Sequence, residues 1–360
     1  VDHGSMIACA GYDRVIHLWD IDANRLVRDF KGHLGSVESI QVIAGDKLVS
    51  VARDGAIRTW TLDIPPPYQQ LKFASEELLN WSATWHPSGN IVTSADHDIW
   101  ERELNTLQPT KQFHSEQVVW NEHSSEYVSK IGKTLSWCRS DGTILSSALF
   151  GDVEVLEVGG PEDQPIVAAL VRNSQSSLME AYLWEPKSGR GPQLLNGAIP
   201  HCFSMRVDRS GRRLVISFAG TGQLIDVGSH RVVQEFEYFG GGVSASAWNW
   251  DGTRLALGSQ EGLIRIYASS DRDQFTLERT LPGNRLRVRD LAWHPFDNRL
   301  ASVGDDSCLN LWNTSTGTLV INQEHESAVI DVAWSPNGAS LATVTQWGEL
   351  RIWNSGSRDK

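Results

Sequence analysis

The sequence repeats a short apolar segment that ends in an aromatic or large apolar residue, usually with a polar residue after it. Nine such segments occur in the 360 residues, ending at Trp19, Trp60, Trp100, Trp137, Trp184, Ile225, Tyr267, Trp312 and Trp353. Successive members of this series lie 37 to 47 residues apart. A period of about 40 to 45 residues is typical of four-stranded units that bury their faces only against their neighbours. The period therefore predicts a repeat architecture, although the length alone would suggest two or three domains.

A related tight turn occurs in four of these units, at residues 85–89, 248–252, 293–295 and 334–338. Pro and Gly in these turns supply the backbone dihedrals that a sharp reversal needs. The strands that follow, such as residues 309–312, alternate between two faces with a period of two residues. This alternation is typical of half-buried strands, so the pattern predicts an all-β chain.

These repeats resemble the WD40 family over nearly the whole chain, and the resemblance implies a WD40-type β-propeller with four-stranded blades. In that family a His, a Ser or Thr, an Asp and the Trp of one repeat form a hydrogen-bonded network. One repeat matches fully, with His33, Ser50, Asp54 and Trp60. A buried His, hydroxyl and carboxylate are tolerable when they satisfy one another. We therefore interpret this set as a structural network and not as a catalytic triad.

Two other repeats match the family pattern in part. Ser302, Asp306 and Trp312 stand at matching positions in one of them, where Asn284 replaces the His. In the last repeat, Trp347 stands where the Asp would fall. The third to seventh repeats are more degenerate and match the family pattern less fully.

The number of blades depends on how the strands are grouped. Full sets of four strands can be drawn for seven units, those that end at Trp60, Trp100, Trp137, Trp184, Ile225, Tyr267 and Trp312. The first unit is partial because residues 1–5 align with the end of an innermost strand, and the last because residues 354–360 are too few for an outer strand. We predict eight or nine repeat units in one ring, with nine favoured. We also expect residues 1–360 to form a single propeller domain cut from a longer multidomain chain, the alternative being a short terminal strand in irregular sequence.

Composition restricts the classes of partner. The formal net charge of −12 argues against an extended nucleic-acid surface, which needs a basic face. No apolar run approaches the length of a membrane span. Cys9, Cys138, Cys202 and Cys308 lie far apart, so disulfide or zinc scaffolding is not expected. Reduced thiols favour a cytoplasmic location.

A metal site is the weaker interpretation of the histidines near the third repeat. Asp96, His97 and Asp98 lie close in sequence to His114 and His123. The first three fall in a turn between strands and lack a matching second pair of ligands. We therefore expect neither a metal nor another cofactor.

The resemblance implies a docking platform for peptides or partner domains on the top rim of the propeller. The top loops precede each inner strand or join the second strand to the third. The candidate partner-binding residues in these loops are Trp347, Arg285, Arg287, Arg53, Tyr12, His97, Asp305 and Gln346. Trp347 is the best single anchor, because exposed Trp and Arg often dominate binding energy. Alternatively, Trp347 packs over its own blade.

Three arginines, Arg285, Arg287 and Arg289, precede or begin one inner strand. They could contact a small anion or an acidic peptide. The alternative is ion pairing with nearby carboxylates, at Asp290, Asp305 or Asp306.

The sequence predicts a non-enzymatic protein-interaction scaffold. The alternative is a propeller enzyme or small-ligand binder with its site at the central channel. Asp290 and Asp331 occupy equivalent places on two inner strands. A carboxylate that recurs at the same position in two repeats is typical of a structural role and not of an asymmetric site. An uneven cluster of acids or histidines in the channel would favour the enzyme.

Overall fold

A computed structural model shows the fold of the chain. The structure describes residues 6–20, 25–43, 47–61, 68–72, 81–86, 88–95, 98–113, 115–121, 126–173, 178–199, 202–218, 220–237, 239–271 and 274–354. Within these ranges it contains 34 strands, no helix and nine antiparallel sheets. The prediction of an all-β chain is confirmed.

Two sheets at the N-terminal end have three strands each in the described ranges. The first contains β1 (Met6–Ala10), β2 (Val15–Asp20) and β3 (Arg25–Lys31). The second contains β4 (Val37–Ile43), β5 (Lys47–Ala52) and β6 (Ile57–Thr61). We call these two sheets the N-terminal sheet pair.

The next strand, β7 (Tyr68–Lys72), does not join either of these sheets. It forms the outer edge of the last sheet, beside β32 (Val329–Trp334), β33 (Ser340–Thr345) and β34 (Glu349–Asn354). The pairing is antiparallel, with Leu71 opposite Leu350.

The sheets between β7 and β32 are each a meander of four consecutive strands. Their strands are β8 (Trp81–Trp85), β9 (Ile91–Ala95), β10 (Asp98–Arg102), β11 (Pro109–Phe113), β12 (Gln117–Trp120), β13 (Glu126–Ile131), β14 (Thr134–Arg139), β15 (Ile144–Leu149), β16 (Val153–Gly159), β17 (Ile166–Arg172), β18 (Met179–Trp184), β19 (Gln193–Ile199), β20 (Cys202–Val207), β21 (Arg213–Phe218), β22 (Gly222–Asp226), β23 (Arg231–Glu235), β24 (Val243–Trp248), β25 (Arg254–Ser259), β26 (Ile264–Asp271), β27 (Gln274–Leu281), β28 (Val288–Trp293), β29 (Arg299–Gly304), β30 (Cys308–Asn313) and β31 (Thr318–Glu324).

The innermost strands of the four-stranded sheets contact one another in a closed succession, namely β8, β12, β16, β20, β24, β28, β32 and again β8. We call these sheets blades 1 to 7 in that order. Because β7 pairs with β34, the start of the ring is tied to its last blade, and β34 is paired along both of its edges. The WD40-type propeller architecture is therefore present, and the nine predicted units appear as nine sheets in the described residues.

The single ring of nine is not confirmed, because the N-terminal sheet pair lies outside the succession of inner strands. β1 contacts β4, and the outer strands β3 and β6 contact β31 of blade 6. The expected fourth strand of the unit that ends at Trp60 is also placed differently. That strand, β7, completes blade 7 instead, since its pairing with β34 closes the ring.

The core lies between neighbouring blades. Strand β17 is buried along almost its whole length because its sheet is covered on both faces. Between blades 3 and 4, Leu170 and Met205 are fully buried in one cluster. Each such side chain contributes about 1.5–3 kcal/mol when it leaves water. Packing between blades thus fixes the strands whose loops form the rims.

Candidate functional site

The structure brings His33, Ser50, Asp54 and Trp60 together in the second sheet of the N-terminal pair. The ring nitrogen Nδ1 of His33 lies 3.0 Å from Asp54 Oδ2, and Nε2 lies 2.7 Å from Ser50 Oγ. The indole Nε1 of Trp60 donates to the same hydroxyl at 2.7 Å. His33 and Ser50 are buried, and these contacts join the loop before β4 and the turn after β5 to strands β5 and β6.

Asp54 also binds the backbone of its own turn and of the preceding loop. The amide of Leu34 donates to Oδ2 at 2.7 Å, and the amide of Ala56 donates to Oδ1 at 3.0 Å. Burial opposes ionisation of this carboxyl, but the two amides and His33 outweigh it and hold the pKa of Asp54 well below its usual range. Asp54 is therefore a fixed structural anion.

Blade 6 repeats this network with Asn284 in place of the His. Its amide Nδ2 donates to Asp306 Oδ1 at 2.9 Å, and its Oδ1 accepts the hydroxyl of Ser302 at 2.8 Å. Trp312 Nε1 donates to Ser302 Oγ at 3.0 Å. The side-chain amide supplies both the donor and the acceptor that the His ring supplies in the other sheet.

Blade 7 has the His but lacks the Asp. His325 Nε2 lies 2.9 Å from Thr343 Oγ1, which also accepts the indole N–H of Trp353 at 3.0 Å. Nδ1 of His325 is buried with no hydrogen-bond partner in the described part of the chain. Burial, with a smaller effect of Arg351, lowers the pKa of His325 to about 3. The network of blade 7 is thus incomplete on the side that faces the missing carboxylate.

Trp347 occupies the position of that missing carboxylate. Its side chain is 66% exposed, so it does not pack over its own blade. Gln346 beside it is also exposed, and its amide donates to the carbonyl of Ala328 at 2.9 Å. This hydrogen bond ties the turn between β33 and β34 to the loop before β32. The exposed indole therefore stands on a turn that is held in place.

Arg285, Arg287 and Asp305 lie on the same rim, in the adjacent blade 6. Arg285 is exposed, and its backbone amide donates to Asp306 Oδ2 at 2.8 Å. Arg287 is half-buried, with its guanidinium carbon 4.6 Å from the ring centroid of Phe203. Burial, with a smaller effect of Arg289, lowers the pKa of Arg287. Trp347 and Gln346 of blade 7 and Arg285 and Asp305 of blade 6 thus lie in loops on the same rim, whereas the Arg287 side chain reaches Phe203 of blade 4.

The third arginine of this group forms an ion pair. Arg289 Nε lies 2.5 Å from Asp305 Oδ1. For this residue the structure shows the pairing that the sequence left open. Pairing of Asp305 also reduces the negative potential that a partner meets beside Arg285 and Arg287.

Other residues assigned to the rim lie elsewhere. Tyr12 is 86% exposed in the turn between β1 and β2, and Arg53 follows β5 and donates to Glu38 Oε1 at 2.6 Å. Both belong to the N-terminal sheet pair and not to the ring, because the ring closes without these two sheets. His97 lies outside the described residues.

The metal candidates Asp96, His114 and His123 also lie outside the described residues. Within the described ranges, no group of three His, Cys, Asp or Glu side chains is placed to hold a metal ion. The same ranges contain no helix long and apolar enough to cross a membrane.

The central channel contains a charged cluster that the sequence pattern only half revealed. Arg206 on β20 reaches Asp290 on β28 at 3.1 Å and Glu157 on β16 at 3.4 Å. Asp290 Oδ2 accepts the amide of Val332 on β32 at 3.2 Å. In the sequence, Arg206 is the single charged residue of its inner strand, and Glu157 is one of two glutamates in its own. Nothing in the sequence indicates that these side chains meet across blades.

Asp331 takes the same role one blade later. Its Oδ2 accepts the amide of Ala83 on β8 at 2.8 Å, as Asp290 accepts that of Val332. These equivalent contacts agree with a structural role that recurs from repeat to repeat, in which a carboxylate binds the next inner strand. Burial, reinforced by the nearby Asp290 carboxylate, raises the pKa of Asp331 well above its usual range.

Comparison with known proteins identifies repeats in the C-terminal part of the chain. Residues 275–313 and 316–354, which contain most of the strands of blades 6 and 7, match the family model "WD domain, G-beta repeat". These two segments are WD40 repeats, and together with the propeller fold they support the WD40-repeat family for this chain.

Curated relatives of this WD40 protein are distant. It is 22% identical over 140 residues to methylosome protein WDR77 of Xenopus laevis, covering 36% of this chain and 42% of the relative. It is 21% identical over 333 residues to CCR4-associated factor 4 of Saccharomyces cerevisiae (strain YJM789), covering 86% and 48% respectively. The chain therefore spans less than half the length of these relatives.

Solved structures resemble the WD40 ring at the level of the fold. A chain in the crystal structure of the mitotic checkpoint complex superposes with a TM-score of 0.66 at 17% identity, covering 81% of this chain and 91% of that one. The β-propeller domain of Cps50 (Swd1) from Myceliophteria thermophila gives 0.64 at 17% identity, covering 80% and 99%.

Proposed function

We propose that this WD40 protein is a non-enzymatic interaction scaffold that docks peptides or partner domains on the top rim of its propeller. The observation that carries the proposal is the exposed indole of Trp347 in blade 7. In two other sheets the equivalent position is an Asp that binds backbone amides and the His or Asn of the network. Trp347 forgoes those bonds and places a large apolar ring in water.

The surroundings of Trp347 favour a protein partner. Trp and Arg are the residues that most often dominate the binding energy of an interface. Arg285 is exposed and Arg287 half-buried on the neighbouring blade. We propose that Trp347 is the apolar anchor, that the two arginines contact carboxylates or carbonyls, and that Gln346 and Asp305 complete the polar edge. His97 stays a predicted member of this site.

Tyr12 and Arg53 would take part only if a partner extends beyond the ring. They lie in the N-terminal sheet pair, which contacts the outer strand of blade 6. A small peptide on the rim would contact Trp347 without them. A partner domain that covers both bodies could use all of these residues.

The relatives support a role in protein assemblies. Names among the matches include a methylosome protein, an anaphase-promoting complex subunit and a chain of the mitotic checkpoint complex. We propose protein partners and a cytoplasmic location for this chain. The charge of −12 supports neither nucleic acid nor an anionic membrane as the principal partner.

The charged cluster in the channel is the basis of the alternative, a propeller enzyme or small-ligand binder. The inclusion of Arg206 and Glu157 makes the cluster uneven, which favours that alternative. However, Arg206 forms ion pairs with Glu157 and Asp290, and both Asp290 and Asp331 bind strand amides. Groups that bind one another and the backbone hold the strands in place, so we propose a structural role for them.

The test is affinity capture from a lysate of the source cell, with partners identified by mass spectrometry. A variant with Trp347→Ala, Arg285→Ala and Arg287→Ala is compared with wild type and with Leu149→Ala, which alters another exposed apolar residue, on blade 2. Circular dichroism checks the fold of each protein. We expect a specific partner to be lost from the triple variant and kept by Leu149→Ala. Equal capture by all three proteins would exclude the top rim as the docking site.

A further inference from the structure

The first sheet of the N-terminal sheet pair exposes a pair of residues whose equivalents in the second sheet are buried. Ile7 on β1 stands opposite Trp19 on β2, and these side chains are 53% and 39% exposed. In the second sheet the equivalent pair, Leu48 opposite Trp60, is buried. We call the exposed surface the tryptophan face, and it consists of Ile7, Cys9, His17 and Trp19.

Blades 6 and 7 bury the same cross-strand pair against the blade before. In blade 6 the pair is Leu300 and Trp312, which share an apolar cluster with Ile266 of blade 5. In blade 7, Leu341 and Trp353 share a cluster with residues of blade 6. The tryptophan face thus lies where a neighbouring sheet packs, but no sheet covers it in the described part of the chain.

The second sheet exposes the face whose equivalent in the first sheet is packed. Val51 on β5 stands opposite Ile57 on β6, and these side chains are 39% and 72% exposed. Ala10 and Ile16 are the equivalent pair of the first sheet, and they pack in the cluster between the two sheets. We call the exposed surface the valine face, and it consists of Val49, Val51, Ile57 and Thr59.

Neighbouring sheets of this protein pack two such faces on each other. Val303 and Leu309 of blade 6 correspond to the valine face, and they cluster with Trp353 of blade 7. Ile16 of the first N-terminal sheet clusters in the same way with Trp60 of the second. The two exposed faces therefore have the complementary composition that already forms interfaces between sheets of this chain.

The tryptophan face and the valine face lie on opposite sides of the N-terminal sheet pair, because the remaining face of each sheet is in the shared cluster. They cannot meet within one molecule. Strand β31 of blade 6 contacts the outer strands β3 and β6. The ring thus lies at the outer edge of the pair and leaves both faces accessible to solvent.

The histidine of the tryptophan face already has hydrogen-bond partners. Nδ1 of His17 lies 2.6 Å from Asp29 Oδ1, and Nε2 lies 2.7 Å from Asp13 Oδ2. A polar group costs little to bury when it keeps its hydrogen bonds. A covering sheet would therefore bury Ile7 and Trp19 without leaving His17 unpaired.

We propose that the occupant of these faces is a second copy of this chain. Copies associate head to tail, with the valine face of one packed on the tryptophan face of the next. This contact continues the packing that joins the two N-terminal sheets. A head-to-tail contact repeats until it closes into a ring. Each copy supplies two sheets, and propellers have about four to eight blades, so about two to four copies would close one.

Sedimentation velocity and light scattering measure the mass of the wild-type chain at increasing concentration. We expect an average mass above that of the monomer at about 100 μM, as a dissociation constant in the micromolar range would give. Trp19→Ser alters only the tryptophan face, and Ile57→Ser alters only the valine face. Each should weaken association by at least about tenfold, since each removes a large apolar side chain from the contact.

Mixing these two variants tests the head-to-tail geometry. Trp19→Ser keeps an intact valine face, and Ile57→Ser keeps an intact tryptophan face. An equimolar mixture should therefore form a heterodimer, while each variant alone stays largely monomeric. Contact between like faces would instead leave one of the two variants associating with itself as strongly as wild type does.

Two control variants change exposed apolar residues elsewhere. Leu149→Ser on blade 2 and Trp347→Ser on the top rim should associate as wild type does, so the top-rim proposal and this one fail separately. Circular dichroism and thermal denaturation check that each protein folds. Ile7→Ser and Val51→Ser replace the two face variants if either of those misfolds.

Cys9 gives a second measurement, because it is exposed on the tryptophan face while the other three cysteines are buried. Its alkylation by a maleimide should be slower in wild type than in Ile57→Ser at the same concentration. The proposal is overturned if wild type is monomeric at about 100 μM, since something other than a second copy then covers these faces. It is also overturned if either face variant associates as wild type does, or if the mixture of the two stays monomeric.

Discussion

Trp353 on β34 stands opposite Tyr68 on β7, so a strand from the first fifth of the chain forms the outer edge of the last blade. This pairing joins the two ends of the ring. A propeller whose ends do not meet would expose open strand edges, which lowers its stability and invites association. The stability of the whole ring should therefore depend on β7, although the strands that precede β7 in the sequence belong to the N-terminal sheet pair.

The first prediction concerns this closure. The double substitution Gln69→Pro and Gln70→Pro removes two consecutive backbone donors from β7. Alternate amides of a paired strand point to its partner, so one of these two donors faces β34. We expect the free energy of unfolding to fall by at least about 1 kcal/mol, since a strand bond is lost and β34 is exposed. Urea denaturation measures the change, and hydrogen exchange should show faster exchange in β34. Alanines at the same two positions serve as the control and should leave both measurements near wild type.

The sequence was sufficient for the repeat pattern but not for the closure of the ring. Regular spacing of Trp60, Trp312 and their equivalents reports on local strands, and those strands form as expected. The pairing of β7 depends on which unpaired strand edge lies near it in space, and a local sequence pattern contains no information about that edge. Sequence order therefore favoured β6, whereas the chain places β7 beside β34.

The same limit applies to the candidate sites. Trp347 can be recognised from the sequence because it replaces the Asp that the family pattern has at this position. Arg206 and Asp290 lie 84 residues apart and on blades that are not adjacent, so their contact follows only from the ring geometry. Ile7 and Ile57 were visible only as strand residues, and their exposure depends on which sheets lie beside them.

The second prediction is that Trp347→Asp stabilises the protein while removing the proposed docking anchor. The new carboxylate would face Nδ1 of His325, which is buried without a hydrogen-bond partner in the described residues. A completed network should raise the free energy of unfolding by about 1 kcal/mol and raise the pKa of His325. Chemical denaturation and histidine titration by NMR measure these effects.

Trp347→Ser is the matched control, because it removes the indole but supplies no carboxylate. It should lose the captured partner as Trp347→Asp does, without the gain in stability. A gain of equal size in both variants would show that removing the exposed indole, and not completing the network, is the cause.

The third prediction concerns the relation between stability and pH. Burial, with a contribution from Asp290, raises the pKa of Asp331 to about 7, whereas an unfolded Asp ionises near about 4. Between these two pH values the folded protein holds a proton that the unfolded chain has released. The contribution of Asp331 to the free energy of unfolding is therefore greatest below the lower value and falls as pH rises to the upper one.

Asp331→Asn tests this relation, because the amide oxygen can still accept the amide of Ala83 but the side chain no longer titrates. We expect the decline of the melting temperature from about pH 4 to 7 to be shallower in the variant than in wild type. The charged neighbours Asp290, Arg206 and Glu157 remain present in both proteins. The assignment to Asp331 would be wrong if the two curves ran parallel across this range.

The fourth prediction separates apolar packing from ion pairing where the N-terminal sheet pair meets the ring. Leu319 on β31 packs against the cluster that contains Phe30 and Trp60, and Lys31 forms an ion pair with Glu324 nearby. Glu324 is largely exposed, and pairs of this kind contribute about 0–1 kcal/mol. Leu319→Ser removes apolar contacts with both the N-terminal sheet pair and the ring. This loss should lower the free energy of unfolding by about 1–2 kcal/mol.

Hydrogen exchange followed by mass spectrometry distinguishes the two contributions. With Leu319→Ser we expect faster exchange in β4, β5 and β6, together with a modest increase in blade 6, because the Leu319 side chain also packs on the ring. With Glu324→Gln, exchange in both bodies should stay close to wild type. If Glu324→Gln loosened the N-terminal sheets as much as Leu319→Ser does, the ion pair rather than the partly buried leucine would hold them against the propeller.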